Sequence, residues 1–250
     1  MIQKLIFFII LIFFHNVCFS ASLVADLSTR SIGINTGFTG AEIFVFGSFD
    51  GKNGDDLVVL VEGPKTETTL YKKAYTSGIW INKDSVKFID LPSFYLINVS
   101  DEKVKSEYKN VFIKNHIGFE NLNLNTSKKL NKTQESIWKQ ALERTMKNNE
   151  MWVANYNNDQ NLIEIIENKL FRAPLTLPST VLPGDYEIKV YHLRNGEIHS
   201  QKSTSMTVRK TGFEAKIYNF AHNYSILYGI FAIIMAVAAG YIAAFSFRRI

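Results

Sequence analysis

The segment Ser225–Phe247 constrains this chain most, because its physical environment follows directly from its composition. It holds no charged side chain, and it lies between His222 on one side and Arg248 and Arg249 on the other. As an α-helix rising ~1.5 Å per residue it would extend ~34 Å, enough to cross the hydrocarbon core of a bilayer. The sequence therefore predicts one transmembrane helix at residues 225–247, followed by a short tail at 248–250.

The N-terminus has the pattern of a secretory signal peptide at residues 1–20. Lys4 precedes an uninterrupted apolar run from Leu5 to Phe14, and small residues stand where cleavage before Ala21 would need them. An uncleaved anchor that uses residues 15–19 as extra length is the alternative. Cleavage would remove Cys18, the single cysteine, so disulfides and Cys-ligated metals are not expected in the mature chain.

The charge distribution argues against a nucleic-acid partner. The net charge is +5, but Lys4, Arg248 and Arg249 lie outside the central region, where 25 basic residues face 23 acidic ones and leave +2. Phosphate binding needs a concentrated basic face. With the signal exported and Arg248 and Arg249 kept inside by the positive-inside rule, the central region is expected outside and the C-terminus in the cytoplasm.

The first part of the central region is patterned as short strands. Apolar or alternating runs are separated by turn residues such as Gly63-Pro64 and Ser77-Gly78; the runs cover residues 23–27, 42–49, 57–61, 68–75, 86–89 and 94–99. Strands return after Pro174, and Asn195-Gly196 is a strong hairpin signal between residues 186–191 and 197–208. This spacing predicts a mainly β fold, an Ig-like antiparallel β-sandwich over residues 21–210.

A helical insertion is predicted within this sandwich, at about residues 128–172. Ile137, Trp138, Ala141, Leu142 and Met146 recur at helical spacing, and a second run follows Asp159, made of Leu162, Ile165, Ile166, Lys169 and Leu170. These patterns predict a pair of amphipathic α-helices that pack on the core. A separate small second domain is the alternative organisation.

Residues 211–224 form a predicted juxtamembrane amphipathic segment. Phe213, Ile217, Phe220 and Tyr224 fall on one face of a helix, and tyrosines suit the headgroup region. We expect an interfacial helix continuous with the span; a plain linker is the alternative.

The Asn195-Gly196 hairpin brings two histidines close together, as a metal site would require. In a two-residue type I′ turn, Arg194 pairs with Glu197 and His192 lies across from His199, with the two Cβ atoms about 5 Å apart. His192 and His199 are only weak candidates, because two imidazoles without a third ligand are more often a polar cross-strand pair. No cofactor is expected.

Catalytic and calcium-binding motifs do not match the chain. The loop Asp50–Asp56 has Lys52 and Gly54 where a calcium loop of the EF-hand type needs Asp or Asn, so it is interpreted as a solvated hairpin turn. There is no G-x-S-x-G motif, and we expect a non-enzymatic protein.

The predicted span carries the most specific interaction signal. Ala232, Ala236, Gly240 and Ala244 recur every four residues, which forms a ridge of small residues suited to close helix packing. The ridge predicts a membrane-protein partner or a homo-oligomer, besides the lipid bilayer itself. Small residues are also common in spans without any such role.

Several runs resemble the alphaproteobacterial family of putative transmembrane proteins of about this length. They include Gly78-Ile79-Trp80-Ile81-Asn82, Leu91-Pro92-Ser93-Phe94-Tyr95, Leu170-Phe171-Arg172-Ala173, Pro183-Gly184-Asp185-Tyr186 and Thr211-Gly212-Phe213-Glu214. The resemblance implies a single-pass inner-membrane protein with a periplasmic domain and a loose association with sulfite-exporter-type permeases. It brings no activity, ligand or catalytic residue.

The shared runs are interpreted as mostly structural. Trp80, Phe94 and Tyr95 are expected to fill the sandwich core, since large aromatics usually do. Arg172, placed after the second predicted helix, is expected to cap that helix or pair with a buried carboxylate, and anion binding is a further possibility.

Two functions follow from these patterns. The first is a non-enzymatic, membrane-anchored periplasmic accessory or assembly protein that serves a membrane transporter. The second is a periplasmic module that binds an anion or a metal and uses the span only as an anchor.

Overall fold

The computed structural model describes residues 23–156 and 163–247, which form a mainly β structure ahead of a long apolar helix. The predicted signal peptide, Cys18, Asp159, Leu162 and the tail at 248–250 lie outside the described residues. The strands are β1 Val24–Leu27, β2 Ser31–Ile34, β3 Ala41–Ser48, β4 Asp56–Glu62, β5 Lys65–Thr76, β6 Ile79–Pro92, β7 Tyr95–Val99, β8 Asn125–Thr126, β9 Trp152–Asn155, β10 Glu164–Ile166, β11 Leu170–Leu177, β12 Gly184–Arg194 and β13 Glu197–Lys210. The helices are α1 Val104–Glu107, α2 Lys109–Lys114, α3 Lys132–Asn148, α4 Phe213–Asn223 and α5 Ser225–Phe247, with a 3₁₀ turn at Phe119–Asn121.

The strands form three sheets. A four-stranded sheet has the order β1-β3-β11-β10, a six-stranded sheet has the order β2-β13-β12-β4-β7-β9, and β5, β6 and β8 form a three-stranded sheet. Most neighbours are antiparallel, as predicted, but β2 pairs with β13 and β7 pairs with β9 in parallel. Strands from both ends of the chain thus share the same sheets.

The first apolar core lies between the four-stranded and six-stranded sheets. Alternate residues of β3 and β11 face alternate residues of β4 and β12, so Val45 and Leu175 of one sheet share a buried cluster with Val59 and Ile188 of the other. This inward alternation is the period-2 pattern of a strand with one face buried. The prediction of a mainly β fold is confirmed, with the strands arranged in three sheets; the Ig-like sandwich stays a prediction.

The second core covers the opposite face of the six-stranded sheet. Tyr95 and Ile97 of β7 pack there against Trp152 and against Leu142 of α3. Trp152 is 2% exposed; its ring stacks on Phe119 with ring centroids 5.5 Å apart, and its indole N–H donates to the Pro92 carbonyl. The aromatic residues Phe94 and Tyr95 are buried as predicted.

One long hairpin runs through two of the sheets. Gly63 N–H donates to the Phe94 carbonyl and Ser93 N–H donates to the Pro64 carbonyl, so the β4–β7 ladder continues without a gap into the β5–β6 ladder. The sequence predicted a break at Gly63-Pro64, but the backbone pairing crosses it. Two register shifts farther along bend the hairpin before its turn at Ser77-Gly78, where Gly78 has φ +89°.

The predicted pair of helices is half right. Helix α3 forms where Ile137 to Met146 predicted it, and Asn131 begins it with a capping box to Gln134. The prediction of a second helix is wrong, because Ile165, Ile166 and Leu170 lie in the antiparallel strand pair β10–β11.

The turn between β10 and β11 explains why this segment forms two strands and not a helix. Glu167 and Asn168 have φ +52° and +53°, a left-handed conformation that ends any helix and reverses the chain. The Lys169 N–H donates to the Ile166 carbonyl across the turn. Apolar residues on either side of so short a turn imitate helical spacing.

The membrane segment consists of two helices. Helix α5 spans Ser225–Phe247 as predicted, and its length and hydropathy are those of a bilayer-crossing helix. The juxtamembrane helix α4 also forms, but it is not continuous with α5 as expected. Tyr224, with φ −133° and ψ 50°, is non-helical and separates the two.

Candidate functional site

The six-stranded sheet has two ends that differ in their relation to the membrane helix. Strand β13 ends at Lys210, just before α4, and the neighbouring strand ends there are Gly184 of β12 and Glu62 of β4. We call this the membrane-proximal end. The opposite end, with Arg194 and Asp56, is called the distal end.

A buried ionic cluster, consisting of Asp55, His192 and Arg194, lies at the distal end. The Asp55 carboxylate accepts hydrogen bonds from His192 Nε2 at 2.8 Å and from Arg194 Nη2 at 2.6 Å. The side chains of Asp55 and His192 are 4% and 1% exposed. Arg194 also donates to the Asp50 carbonyl, so the cluster fixes the whole loop between β3 and β4 to β12.

Charge and burial set the protonation of this cluster. Burial alone would raise the pKa of Asp55, but hydrogen bonds from Arg194, the Lys52 N–H and His192 outweigh it and hold the pKa well below its usual range. Burial lowers the pKa of His192, against the opposing effect of Asp55. The hydrogen bonds therefore assign a neutral imidazole that donates from Nε2 to an ionised carboxylate, while Nδ1 lies 3.3 Å from Ser200 Oγ.

The interpretation of Asp50–Asp56 as a solvated hairpin turn is wrong about the hairpin, although Asp50, Lys52, Asn53 and Gly54 are exposed as expected. The loop connects strands of two different sheets, and Asp55 is buried among cationic and polar partners. Sequence reasoning missed Asp55 and Arg194 because they are 139 residues apart. The available signal was weak: Arg194 directly precedes the Asn195-Gly196 turn, and two Asp residues follow the Gly54 turn.

The predicted register of the two histidines is also wrong. Arg194 pairs with Glu197 as expected, but a β-bulge follows, so His192 pairs with Ser200 and His199 is the extra residue. The two rings still touch edge to face, with centroids 5.1 Å apart. His199 Nε2 lies 3.1 Å from Arg194 Nη1, a cation, and no group of three metal-ligating residues occurs among the described residues.

Together with Ser200, the cluster presents Ser, His and Asp in hydrogen-bonded order, a set that performs nucleophilic catalysis in some enzymes. Here the imidazole is buried, and its nitrogen is 3.3 Å from the Ser200 hydroxyl. Phe49 packs edge to face on the imidazole at 5.0 Å. A catalytic base must come within hydrogen-bond reach of its substrate, and this imidazole is covered by packed side chains. The surroundings therefore favour a structural role for His192.

Arg172 lies in β11, so it cannot cap the predicted helix. Its guanidinium pairs with Glu164 of β10 at 2.9 Å and lies over the Phe44 ring. Both charged side chains are more than half exposed, so the predicted buried carboxylate is absent. Anion binding at Arg172 remains a hypothesis.

A groove of about 900 Å³ lies at the membrane-proximal end. It is bounded by the end of β13, by the segment after β2 and by α4, which contributes Tyr218. Asp185 lies in the same groove as Arg209 and Lys210, and accepts a hydrogen bond from the Thr207 hydroxyl. The groove therefore combines cationic and aromatic groups beside the membrane segment.

The span exposes its ridge of small residues. No residue of α5 is buried by the rest of the described chain, and a side chain added at Gly240 would meet no atom within 4 Å. Ala232, Ala236, Gly240 and Ala244 therefore face lipid or another helix.

The tip of the β5–β6 hairpin exposes large apolar side chains. Trp80 is 69% exposed, so its predicted place in the core is wrong. It lies near the Ser77-Gly78 turn and packs on Tyr75, with ring centroids 5.5 Å apart. The sequence signal for this surface is an aromatic residue near a turn in a lysine-rich run, whereas residue type alone predicts a core position.

The comparisons with known proteins give one family. The family model described as Putative transmembrane protein (Alph_Pro_TM) matches residues 22–249, nearly the whole chain. No curated protein matches the chain, and no solved structure does.

Proposed function

Because the chain belongs to the family described as Putative transmembrane protein (Alph_Pro_TM), we propose a function that centres on its membrane helix. The protein is a non-enzymatic accessory or assembly protein, anchored in the inner membrane, that contacts a membrane protein such as a permease. Its β domain, residues 21–210, is an Ig-like sandwich in the periplasm, and the C-terminus is cytoplasmic. Arg248 and Arg249 support this orientation through the positive-inside rule.

The observation that carries the proposal is the exposed ridge on α5. Its four small residues share one side of the helix, and none is covered by the rest of the described chain. Close approach of two helices in a bilayer depends on small residues, since lipid provides no hydrophobic drive for association. The ridge on α5 and the juxtamembrane helix α4 together provide a surface for one partner helix.

The test extracts the full-length protein from its native membranes in mild detergent, crosslinks it and identifies what co-purifies. We expect a stoichiometric membrane protein, lost in Gly240→Leu and in Ala236→Leu. Ala238→Leu is the matched control, because residues two apart lie about 200° apart around a helix. Recovery of the chain alone, or equal loss with Ala238→Leu, would contradict the proposal.

The groove at the membrane-proximal end favours the second function, a module that binds an anion. Arg209 and Lys210 contribute cationic groups to a cavity large enough for a small molecule. Calorimetric titration of the full-length protein with inorganic phosphate or sulfate tests it. Binding that Arg209→Gln abolishes would support this function, and absence of heat would remove it.

A further inference from the structure

We propose that the tip of the β5–β6 hairpin, residues 71–83, is a second membrane contact that inserts end-on into the interface of a bilayer with anionic lipid. The proposal requires only that α5 anchors the chain in a membrane. It does not depend on a protein partner at the ridge.

The apolar side chains of the tip occupy both faces of the hairpin. Tyr75 pairs directly with Trp80, so these two rings share one face, while Ile79 and Ile81 lie on the other. Their exposed fractions are 63%, 69%, 63% and 40%. A hairpin that docks flat on a protein surface needs only one apolar face, whereas a tip that enters lipid needs apolar groups all round.

The residue types are those of a membrane interface. Trp and Tyr are enriched where the hydrocarbon meets the headgroups, because each ring has a large apolar body and one polar group. Residues 71–83 contain Lys72, Lys73 and Lys83 but no Asp or Glu. Asp84, just outside this range, lies opposite Lys72 in the ladder and forms its ion pair with Lys128, and none of the three tip lysines forms an ion pair in the part of the chain that the structure describes.

The lysines lie at the depth that lipid phosphates would require. Lys73 is four residues before Ser77, which places its backbone about 13 Å from the turn in an extended strand. If the turn enters the interface, the ammonium groups of the three lysines reach the headgroup layer. Anionic headgroups are the complementary charge, worth roughly a factor of five in binding per lysine near the surface.

The hairpin leaves the domain from the membrane-proximal end. Its base at Pro64 packs against Gly184, where an added side chain atom would lie 2.7 Å from the Pro64 ring. Gly184 pairs with Val208, close to the end of β13 where the membrane segment begins. The base of the β5–β6 hairpin and the end of β13, which leads to the membrane segment, therefore lie at the same end of the domain.

The reach of the hairpin is sufficient. Helix α4, the spacer between the domain and the span, is about 16 Å long if it stands upright. Strand β5 has 12 residues and extends up to about 40 Å. The tip can thus reach the bilayer surface when α4 stands upright.

Trp80 provides a direct test, because the other two tryptophans, Trp138 and Trp152, are 7% and 2% exposed. The full-length protein is placed in nanodiscs of phosphatidylcholine and phosphatidylglycerol, with or without bromine near the top of the acyl chains. The emission of Trp80 is obtained by subtracting the Trp80→Phe spectrum. We expect this component to be blue-shifted and to be quenched by brominated lipid.

A matched control moves the reporter to the distal half of the domain. In the double variant Trp80→Phe with Phe46→Trp, the new indole replaces a 44% exposed aromatic of β3. It should remain unquenched by brominated lipid. Equal quenching of both reporters, or Trp80 emission unaffected by bromine and fully accessible to aqueous acrylamide, would overturn the proposal.

The lysines distinguish anionic lipid from a general apolar surface. Replacing Lys72, Lys73 and Lys83 together by Gln should lower the ratio of inserted to free tips by roughly 100-fold in the anionic nanodiscs at low salt. In nanodiscs of phosphatidylcholine alone the same variant should behave like the wild type. An unchanged ratio in the anionic nanodiscs would overturn anionic lipid as the occupant.

Discussion

His192 Nε2 lies 2.8 Å from Asp55 Oδ2, although 137 residues separate the two in the chain. Through this contact and the parallel one from Arg194, the last long hairpin holds the loop that joins the two large sheets. A buried carboxylate with two such partners is expensive to remove, because it leaves a guanidinium and an imidazole without their acceptor.

Asp55→Ala should therefore lower the free energy of unfolding by about 3 kcal/mol or more, as expected when one partner of a buried ion pair is removed. The measurement is thermal or denaturant unfolding of the full-length protein in detergent. Glu164→Gln, which breaks the exposed pair with Arg172, is the control and should change little. If both variants lowered the free energy of unfolding by similar amounts, the buried cluster would not be a main source of stability.

The stability should fall as the pH is lowered through the ordinary pKa of histidine, about 6.5. The folded pKa of His192 is lowered, so the unfolded state binds more protons in this window and is favoured there. Asp55, Arg194 and His199 face the imidazole; Asp55 stays ionised throughout, because its pKa is held well below its usual range.

His192→Gln separates this contribution from those of other titrating groups. The variant should show a shallower decrease of stability between about pH 7 and pH 5 than the wild type, because it lacks the histidine whose ordinary pKa lies in that window. Unfolding midpoints at a series of pH values give the comparison. Parallel curves for the two proteins would rule out His192 as the source.

Gly47→Ala should destabilise the four-stranded sheet. A Cβ at this position would overlap the Val24 carbonyl oxygen and lie 2.8 Å from the Phe171 ring, and neither can move without disturbing β1 or the core. Overpacking of this kind costs about 1–3 kcal/mol. Gly37→Ala, where the nearest atom is 3.5 Å away, serves as the control and should be close to neutral.

Trp152→Ala and Trp80→Ala should differ sharply in stability. Loss of the stacked, buried Trp152 ring is expected to cost about 3–5 kcal/mol. Loss of Trp80 removes one exposed cross-strand contact with Tyr75, worth about 0.2–1 kcal/mol. Denaturant titrations of both variants check the difference, and a large cost at Trp80 would place that side chain in a core after all.

Local patterns predicted much of this structure. Alternating apolar residues located most strands, Asn195-Gly196 located the β12–β13 hairpin, and the uncharged run at 225–247 located the span. These features depend on neighbours in the chain. The second core and the short helices α1 and α2 were not predicted, because they depend on packing across the sheet.

The errors have a common physical origin in long-range contacts and backbone irregularities. Glu167 and Asn168 adopt left-handed conformations, which their residue types allow but do not predict. The bulge at His199 moves a single residue and changes every pairing beyond it. Trp80 is of a residue type that is usually buried. It is exposed because it lies near the tip of the hairpin, beyond the buried residues Val86 and Phe88.

The parallel pairing of β2 with β13 has a mechanical consequence. Any pull on the membrane helix acts along β13, whose last residues are bonded to β12 on one side and to Ser31–Ile34 on the other. Thr211, one residue beyond β13, also donates its N–H to the Ile34 carbonyl. Force along the strand axis loads these bonds side by side in shear, so the domain should resist traction from its anchor and not unzip one bond at a time. Single-molecule stretching from the anchor end would then show one high rupture force, which Gly33→Val should reduce by disturbing the contact with Thr211.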